Sequence, residues 1–392
     1  MIHINKIKMV GSLDKNFKPL NPFNNLICDF LEDLSNQLKT EKSFEDIISL
    51  AFWLRKKNIL KYKNKYSDSD ERLGRGLIFH ITPSNIPLNF AYSFVFGLLS
   101  GNANVIRCPS KNFPQIEIFC TAIKKLFLKN KYREISKMNI FVKYEKNKKI
   151  NDYFSSMCNG RIIWGGDNTI NEIRESKISP QSTDITFADR YSFSIINASE
   201  FNKLDDNKIN IIVKNFYNDT YYVDQNACSS PHLIIWSGKN LNKAKKIFWK
   251  KLELYIEKKF SFNESAIVDK YSDLLSNAIN FNYFDKKEIS NNKMYRVSLS
   301  KLTNLNHNLR GKWGLFYEYD SKNLDNLKKI INYKYQTLTY FGLDKIFLRN
   351  FVIHNRLKGI DRIVPIGKAL DIDLIWDGYD IINSLSRKIN LY

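Results

Sequence analysis

The chain has 392 residues, 43% of them hydrophobic and 14% aromatic, which excludes a disordered protein and implies two or three domains of roughly 100–200 residues each. Lys and Arg number 61 against 40 Asp and Glu, a formal net charge of +21. The excess is mostly lysine, dispersed among Asn and Ile with no clustered stripe and no nucleic-acid-binding motif, so nucleic acid is not an expected partner. The N-terminus lacks an apolar signal region. Two helical apolar patterns follow over residues 24–62, marked by Leu26, Ile27, Phe30, Leu31 and Leu34 and then by Ile47, Ile48, Ala51, Phe52 and Leu54. From Gly76 short apolar runs alternate with helical segments. GLIFHI (76–81) precedes a helix near 89–100, NVIR (104–107) a helix near 114–129, MNIFV (138–142) a helix near 150–157, and RIIW (161–164) a helix near 168–175. Alternation of this kind predicts a parallel sheet covered on both faces. SFSII (192–196), a helical stretch and HLIIW (232–236) begin a second α/β unit, with a boundary near residue 190. Residues 258–330 show no clear pattern, and the C-terminal DRIVPIGKALDIDLIWDG reads as a strand and a turn. The longest apolar stretch, Ile86 to Leu99, is about 14 residues against the about 20 that a membrane span needs. Five widely spaced cysteines, Cys28, Cys108, Cys120, Cys158 and Cys228, make no metal pattern. Reduced thiols in a cytoplasmic protein are expected, with no metal.

In a parallel sheet ligands bind where loops leave the carboxyl ends of the strands. The loops after Ile81, Arg107 and Trp164 therefore carry the argument. In ITPSNIPLNF (81–90), Pro83 and Pro87 stiffen the turn. Asn85 there is either an amide donor for a developing oxyanion or a helix cap. In NVIRCPSK (104–111), Arg107, Ser110 and Lys111 suit a phosphate or ribose, or form a solvated basic loop. In IIWGGDNTINEIR (162–174), Gly165 and Gly166 let backbone approach a ligand at a helix start capped by Asp167 or Asn168. In DQNACSSPHLIIW (224–236), Cys228 is a nucleophilic thiol or a buried structural cysteine. His232, four residues on, is not assumed to contact it.

The order TPSNIPL, GNANVIRCPS, WGG and DQNAC resembles the aldehyde dehydrogenase superfamily, whose usual forms are PWNFP, GN-x-VV-x-KP, TGS and GQ-x-C. More closely, the chain resembles the long-chain fatty acyl-CoA reductase family, which includes the reductase of the bacterial bioluminescence fatty acid reductase complex. HITPSNIPLNFAYSFVFGLLSGNANVIRCPSK, RIIWGGDNTINEIR, DRYSFSIIN, DQNACSSP, YQTLTYFGLD and DRIVPIGKALDIDLIWDGYD carry that resemblance, from about Gly76 to the C-terminus.

The resemblance implies an α/β, aldehyde dehydrogenase-like fold. Residues 1–190 would hold N-terminal helices and a Rossmann-type cofactor domain, and residues 191–392 a catalytic domain carrying the thiol. It implies Cys228 as nucleophile and Asn85 as oxyanion donor. Thr82, Pro83, Ser84, Arg107, Ser110, Lys111, Gly165 and Gly166 would bind the cofactor. Ser110 stands where NAD-preferring relatives carry an acid, which favours NADPH. The general-base Glu of hydrolytic aldehyde dehydrogenases, in ELGGKS, aligns with Phe187 of FADRYS, which disfavours hydrolysis to an acid. Tyr335, Gln336 and Thr337 are candidates to line the cleft. Asp361, Arg362, Trp376, Asp377 and Gly378 fall at motif positions without a catalytic role. The expected reaction is NADPH-dependent reduction of a fatty acyl-CoA or acyl-protein to the aldehyde, by a homo-oligomer served by an ATP-dependent acyl-protein synthetase. The alternatives are a same-fold reductase of a short acyl-CoA or acyl phosphate, and a non-catalytic scaffold or nucleic-acid-binding protein.

Overall fold

The continuous apolar runs of the first half are strands buried on both faces, which is why they lack a polar alternation. The computed structural model of the chain describes residues 4–14, 16–261 and 264–391. It divides into two compact units, one formed by residues up to Ala188 together with those from Leu374 onward, the other by Asp189–Asp373.

The first unit is built on a six-stranded sheet of β1 (Lys8–Leu13), β2 (Leu77–Ile81), β3 (Ala103–Arg107), β4 (Asn139–Val142), β5 (Gly160–Trp164) and β6 (Thr183–Phe187). The spatial order is β1-β4-β3-β2-β5-β6, and only β1 runs antiparallel to its neighbour. Beginning at β2, the chain steps outward to β3 and β4, then returns to the other side of β2 for β5 and β6. This reversal is the switch point of a doubly wound sheet, and it opens a crevice at the carboxyl ends of β2 and β5. Helices α1 (Asn25–Leu38), α2 (Glu45–Trp53) and α3 (Lys56–Lys63) precede the parallel strands. Helices α4 (Asn89–Leu99), α5 (Pro114–Phe127), α6 (Lys148–Met157) and α7 (Asp167–Arg174) alternate with them.

Helix α4 is buried almost all round and presses closely onto β3. A Cβ at Gly97 would stand 2.0 Å from Asn104 Oδ1, so this approach requires glycine. Beneath it runs a chain of buried polar groups. Trp164 Nε1 donates to Ser93 Oγ at 3.1 Å, and Ser93 Oγ lies 2.8 Å from His80 Nδ1. His80 Nε2 then donates to Asn104 Oδ1 at 2.9 Å, and Asn104 Nδ2 to Asn139 Oδ1 at 2.7 Å. Asn104 Oδ1 can only accept, so His80 Nε2 carries the ring proton and Nδ1 of the neutral ring accepts from Ser93 Oγ. Burial, slightly offset by the Asn104 bond, pushes the imidazole down to about 4, so His80 is neutral.

The second unit holds a seven-stranded sheet of β7 (Tyr191–Asn197), β8 (Pro231–Ser237), β9 (Phe284–Asn291), β10 (Met294–Leu299), β11 (Leu315–Asp320), β12 (Tyr335–Phe341) and β13 (Arg362–Pro365). Its order is β9-β10-β11-β8-β7-β12-β13, parallel except for the β9–β10 pair. Alternate residues serve separate apolar layers. Phe193, Ile195, Leu233 and Ile235 join one cluster, and Ile196, Ile234 and Trp236 the other. Helices α8 (Asp206–Asp219), α9 (Leu241–Lys259), α10 (Glu264–Asn280) and α11 (Lys345–His354) complete the unit.

The structure corrects the expected domain limits at the C-terminus. The second unit ends at Asp373 and does not run on to residue 392. Residues 375–376 and 379–380 form a hairpin whose turn, Asp377-Gly378, has φ of 49° and 77°. This is the two-residue turn that Asp-Gly favours. Ile381, Ile382 and Leu385 beyond it are fully buried in the first unit. Among the described residues no helix is long and apolar enough to cross a membrane.

Candidate active site

In the first unit the residues singled out at three loops emerge from adjacent parallel strands in the order β3-β2-β5. Thr82 follows β2 and is buried, and its hydroxyl donates to the Arg107 carbonyl at 2.7 Å, tying that loop to the end of β3. Pro83 is half-buried, while Ser84 and Asn85 are exposed in the turn that follows. Arg107 lays its guanidinium 4.7 Å above the Tyr144 ring and donates to the Tyr144 carbonyl at 3.4 Å. Ser110 is half-buried and Lys111 exposed on the loop after it.

Across the crevice β5 ends in Trp164, Gly165 and Gly166. Trp164 is sandwiched by Phe187 at 3.9 Å and Phe96 at 6.4 Å between ring centroids. The buried polar chain holds its indole N–H. A Cβ at Gly166 would meet nothing within 4 Å. That residue caps α7, so the space beside it faces helical N–H groups that suit an anion. Open room at Gly166, the cation at Arg107 and the switch-point topology fit a phosphate-bearing ligand lying along this edge.

Two readings of the loops change here. Helix α4 starts at Asn89, with Leu88 at its cap position and no side-chain cap bond. Asn85 therefore does not cap it, because Pro87 biases Ile86 away from helical geometry and delays the helix. The cap of α7 is Gly166, and Asp167 is the first helical residue, where its charge favours the positive end of the helix dipole.

In the second unit Cys228 lies in the turn between the 3₁₀ segment Tyr221–Val223 and β8. The preceding residues Asp224 and Gln225 are both left-handed, with φ of 53° and 56°. This costs free energy that the surroundings must offset. Buried Gln225 does so: its Oε1 accepts from Gly314 N at 2.8 Å, and its Nε2 donates to the Leu315 carbonyl at 3.3 Å and the Pro231 carbonyl at 3.4 Å. Ser192, one residue into β7, donates to the Cys228 carbonyl at 2.6 Å and accepts from Thr337 N at 3.1 Å. The thiol thus stands on a loop fixed from β7, β8, β11 and β12. Of the five cysteines the other four are buried and Cys228 is partly exposed.

Tyr335, Gln336 and Thr337 are buried at the start of β12, and Thr337 reaches the Cys228 loop through Ser192. His232 is also buried, and it stacks on Tyr191 with ring centroids 5.5 Å apart. Burial, then the nearby Arg310, pushes it down to about 3. Phe187 is buried in the first unit against Trp164 and Tyr379 and holds no base. Asp361 pairs with Arg190 at 2.5 Å, Arg362 donates to the Lys368 carbonyl at 2.8 Å, and Trp376 is buried.

Two features escaped the sequence. Trp164 was visible only as the last apolar residue of a strand. Asp189 and Arg310 sit beside Cys228, but residue 310 lies in the stretch without a pattern, so no local spacing joins it to residue 228.

The parallel doubly wound sheet of the first unit and the α/β second unit make an aldehyde dehydrogenase-like fold, and solved structures share it. Aldehyde dehydrogenase 21 from Physcomitrella patens aligns over 97% of this chain and 96% of its own, with 10% identity and a TM-score of 0.64. Lactaldehyde dehydrogenase from Escherichia coli aligns over 93% and 85%, with 11% identity and a TM-score of 0.62. An NAD-dependent benzaldehyde dehydrogenase from Corynebacterium glutamicum aligns over 97% and 95%, with 12% identity and a TM-score of 0.57. A comparison with curated protein sequences returns no match. The acyl-CoA reductase (LuxC) family matches residues 17–388, and the chain belongs to that family. The match reaches well ahead of Gly76, so helices α1–α3 are part of the family's fold.

Proposed function

We propose that the protein reduces a fatty acyl thioester, on CoA or on a protein, to the fatty aldehyde with NADPH, through an S-acyl intermediate on Cys228. The observation that carries this reading is the partly exposed Cys228 on a loop held by Ser192 and Gln225, in a chain of the acyl-CoA reductase family. The Cys228 sulfur attacks the acyl carbonyl, and the donor thiol leaves. Asn85 and the Cys228 backbone N–H are the proposed donors to the oxyanion, by their motif positions. Phe187 brings no carboxylate to that position, so no water is activated from there against the S-acyl group. Arg107, Gly165 and Gly166, with Thr82, Pro83 and Ser84, hold the cofactor. NADPH supplies the hydride when bound. Ser110 and Lys111 bring no carboxylate against a 2′-phosphate, which favours NADPH over NADH. The reading includes a cytoplasmic homo-oligomer that receives acyl groups from an ATP-dependent acyl-protein synthetase.

The test is NADPH consumption with tetradecanoyl-CoA, the product trapped as a hydrazone, in wild type and in Cys228→Ala. Aldehyde from the wild type alone supports the reading. Aldehyde from Cys228→Ala overturns the nucleophile. A wild type that forms neither aldehyde nor S-acyl Cys228 from CoA or protein donors overturns the reaction.

A further inference from the structure

The Cys228 thiol lies against an ion pair for which the reaction above has no use. Its Sγ stands 3.8 Å from Asp189 Oδ1, with the thiol as donor. The same carboxylate oxygen accepts from Arg310 NH1 at 2.6 Å, and the Asp189 carbonyl accepts from Lys334 Nζ at 3.4 Å. Two other ionisable groups of this unit have partners of their own. Arg190 is paired with Asp361 and donates to the Tyr335 carbonyl. His232 is neutral, and its Nδ1 accepts from Gly311 N at 3.2 Å. Asp189 places a carboxylate on the thiol, two residues beyond the Phe187 that stands at the position of the superfamily's base. A bare carboxylate would oppose formation of a thiolate; an arginine on the same oxygen offsets that repulsion.

Resting on the reading of Cys228 as nucleophile, the geometry points to Asp189 as the catalytic proton acceptor for the Cys228 thiol, with Arg310 as the positioning residue that holds it there. As the sulfur forms its bond to the acyl carbon, the S–H proton passes to an Asp189 oxygen. The carbon–sulfur bond of the donor then breaks, and the departing thiolate takes that proton. The products are S-acyl Cys228, a free thiol and an ionised Asp189. No electrons are exchanged in this step.

The full-length protein tests the pair directly, since Cys228 is the accessible thiol and its alkylation by iodoacetamide can be followed by mass spectrometry of its peptide across pH. Asp189→Asn removes the negative charge and leaves Arg310 facing the sulfur, so the alkylation midpoint falls by about one unit. Arg310→Met leaves the carboxylate unopposed, so the midpoint rises by about one unit. At pH 7, single-turnover acylation by tetradecanoyl-CoA slows about 100-fold or more in Asp189→Asn, although its thiol is alkylated faster. Asp189→Glu restores part of that rate. A purely structural role moves both midpoints the same way or not at all, and either result overturns the inference, as does unslowed acylation of Asp189→Asn. Should one variant fail to melt cooperatively, the sign of the shift in the other decides. S-acyl Cys228 with unmoved midpoints overturns this inference alone. An acyl group that never reaches Cys228 in the wild type overturns the functional reading and this inference with it.

Discussion

A methyl group at residue 166 would stand in open space, whereas one at residue 97 would strike Asn104 Oδ1 at 2.0 Å. Two glycines therefore serve different ends. Gly166→Ala should cost no more than about 1 kcal/mol, the loss of a poorer cap, because its φ of −67° is ordinary and nothing is displaced. It should weaken NADPH binding about tenfold or more, as the methyl occupies room at the α7 N-terminus; protein fluorescence titration with NADPH measures this. Equal affinity in the variant would remove Gly166 from the cofactor site. Asn85 is exposed and caps no helix, so Asn85→Ala should also spare stability. As an oxyanion donor it should lower kcat by about 100- to 1,000-fold; steady-state kinetics beside a thermal melt separate that loss from misfolding.

At the scale of elements, the buried polar chain ties β2, β3 and β4 to α4 and to the Trp164 indole at the crevice. His80 keeps this chain neutral, with its titration lowered from 6.5 to about 4 by burial. Between those values the unfolded chain binds a proton that the folded chain refuses. Stability is therefore lost as pH falls through that window, by about 2 kcal/mol between pH 7 and pH 5. His232, lowered to about 3, acts in the same direction in the second unit. Asp219, raised to about 7 by burial although it accepts from Gly367 N and Ala369 N, acts in the opposite direction. The test is thus a difference of slopes. Urea midpoints at pH 7 and pH 5 should lie closer together in His80→Asn than in the wild type, whatever the variant's absolute stability. The same scale shows why residues 258–330 could not be read. Among the described residues strand β9, FDKKEISN, is an edge strand whose one partner is β10, and edge strands carry charge in place of an apolar run.

For the whole molecule, the chain leaves its first unit after Ala188 and returns to it at Leu374. Ile381, Ile382 and Leu385 fill that unit's core, and the Leu385 carbonyl accepts from Asn102 Nδ2 at 2.9 Å. Leu385→Ala should cost about 2–5 kcal/mol, read by urea unfolding, although residue 385 lies some 200 positions beyond the boundary near residue 190. A loss below 1 kcal/mol would mean that the returning segment does not support the first unit.

What the sequence determined by itself was whatever is local. The parallel strands were legible because burial on both faces leaves continuous apolar runs such as LIFHI and HLIIW. The candidate loops were legible because Pro, Gly, Asn and Cys cluster where those strands end, and their order carried the family. The tertiary structure alone decided what depends on distant partners: β1, which is recognisable only against β4; the return of residues 374–391 to the first unit; the polar chain behind Trp164; and the meeting of Asp189 and Arg310 beside Cys228. Such contacts join residues of different segments, 13 positions apart at Ser93–His80 and 283 at Asn102–Leu385, and no periodicity within one element encodes them.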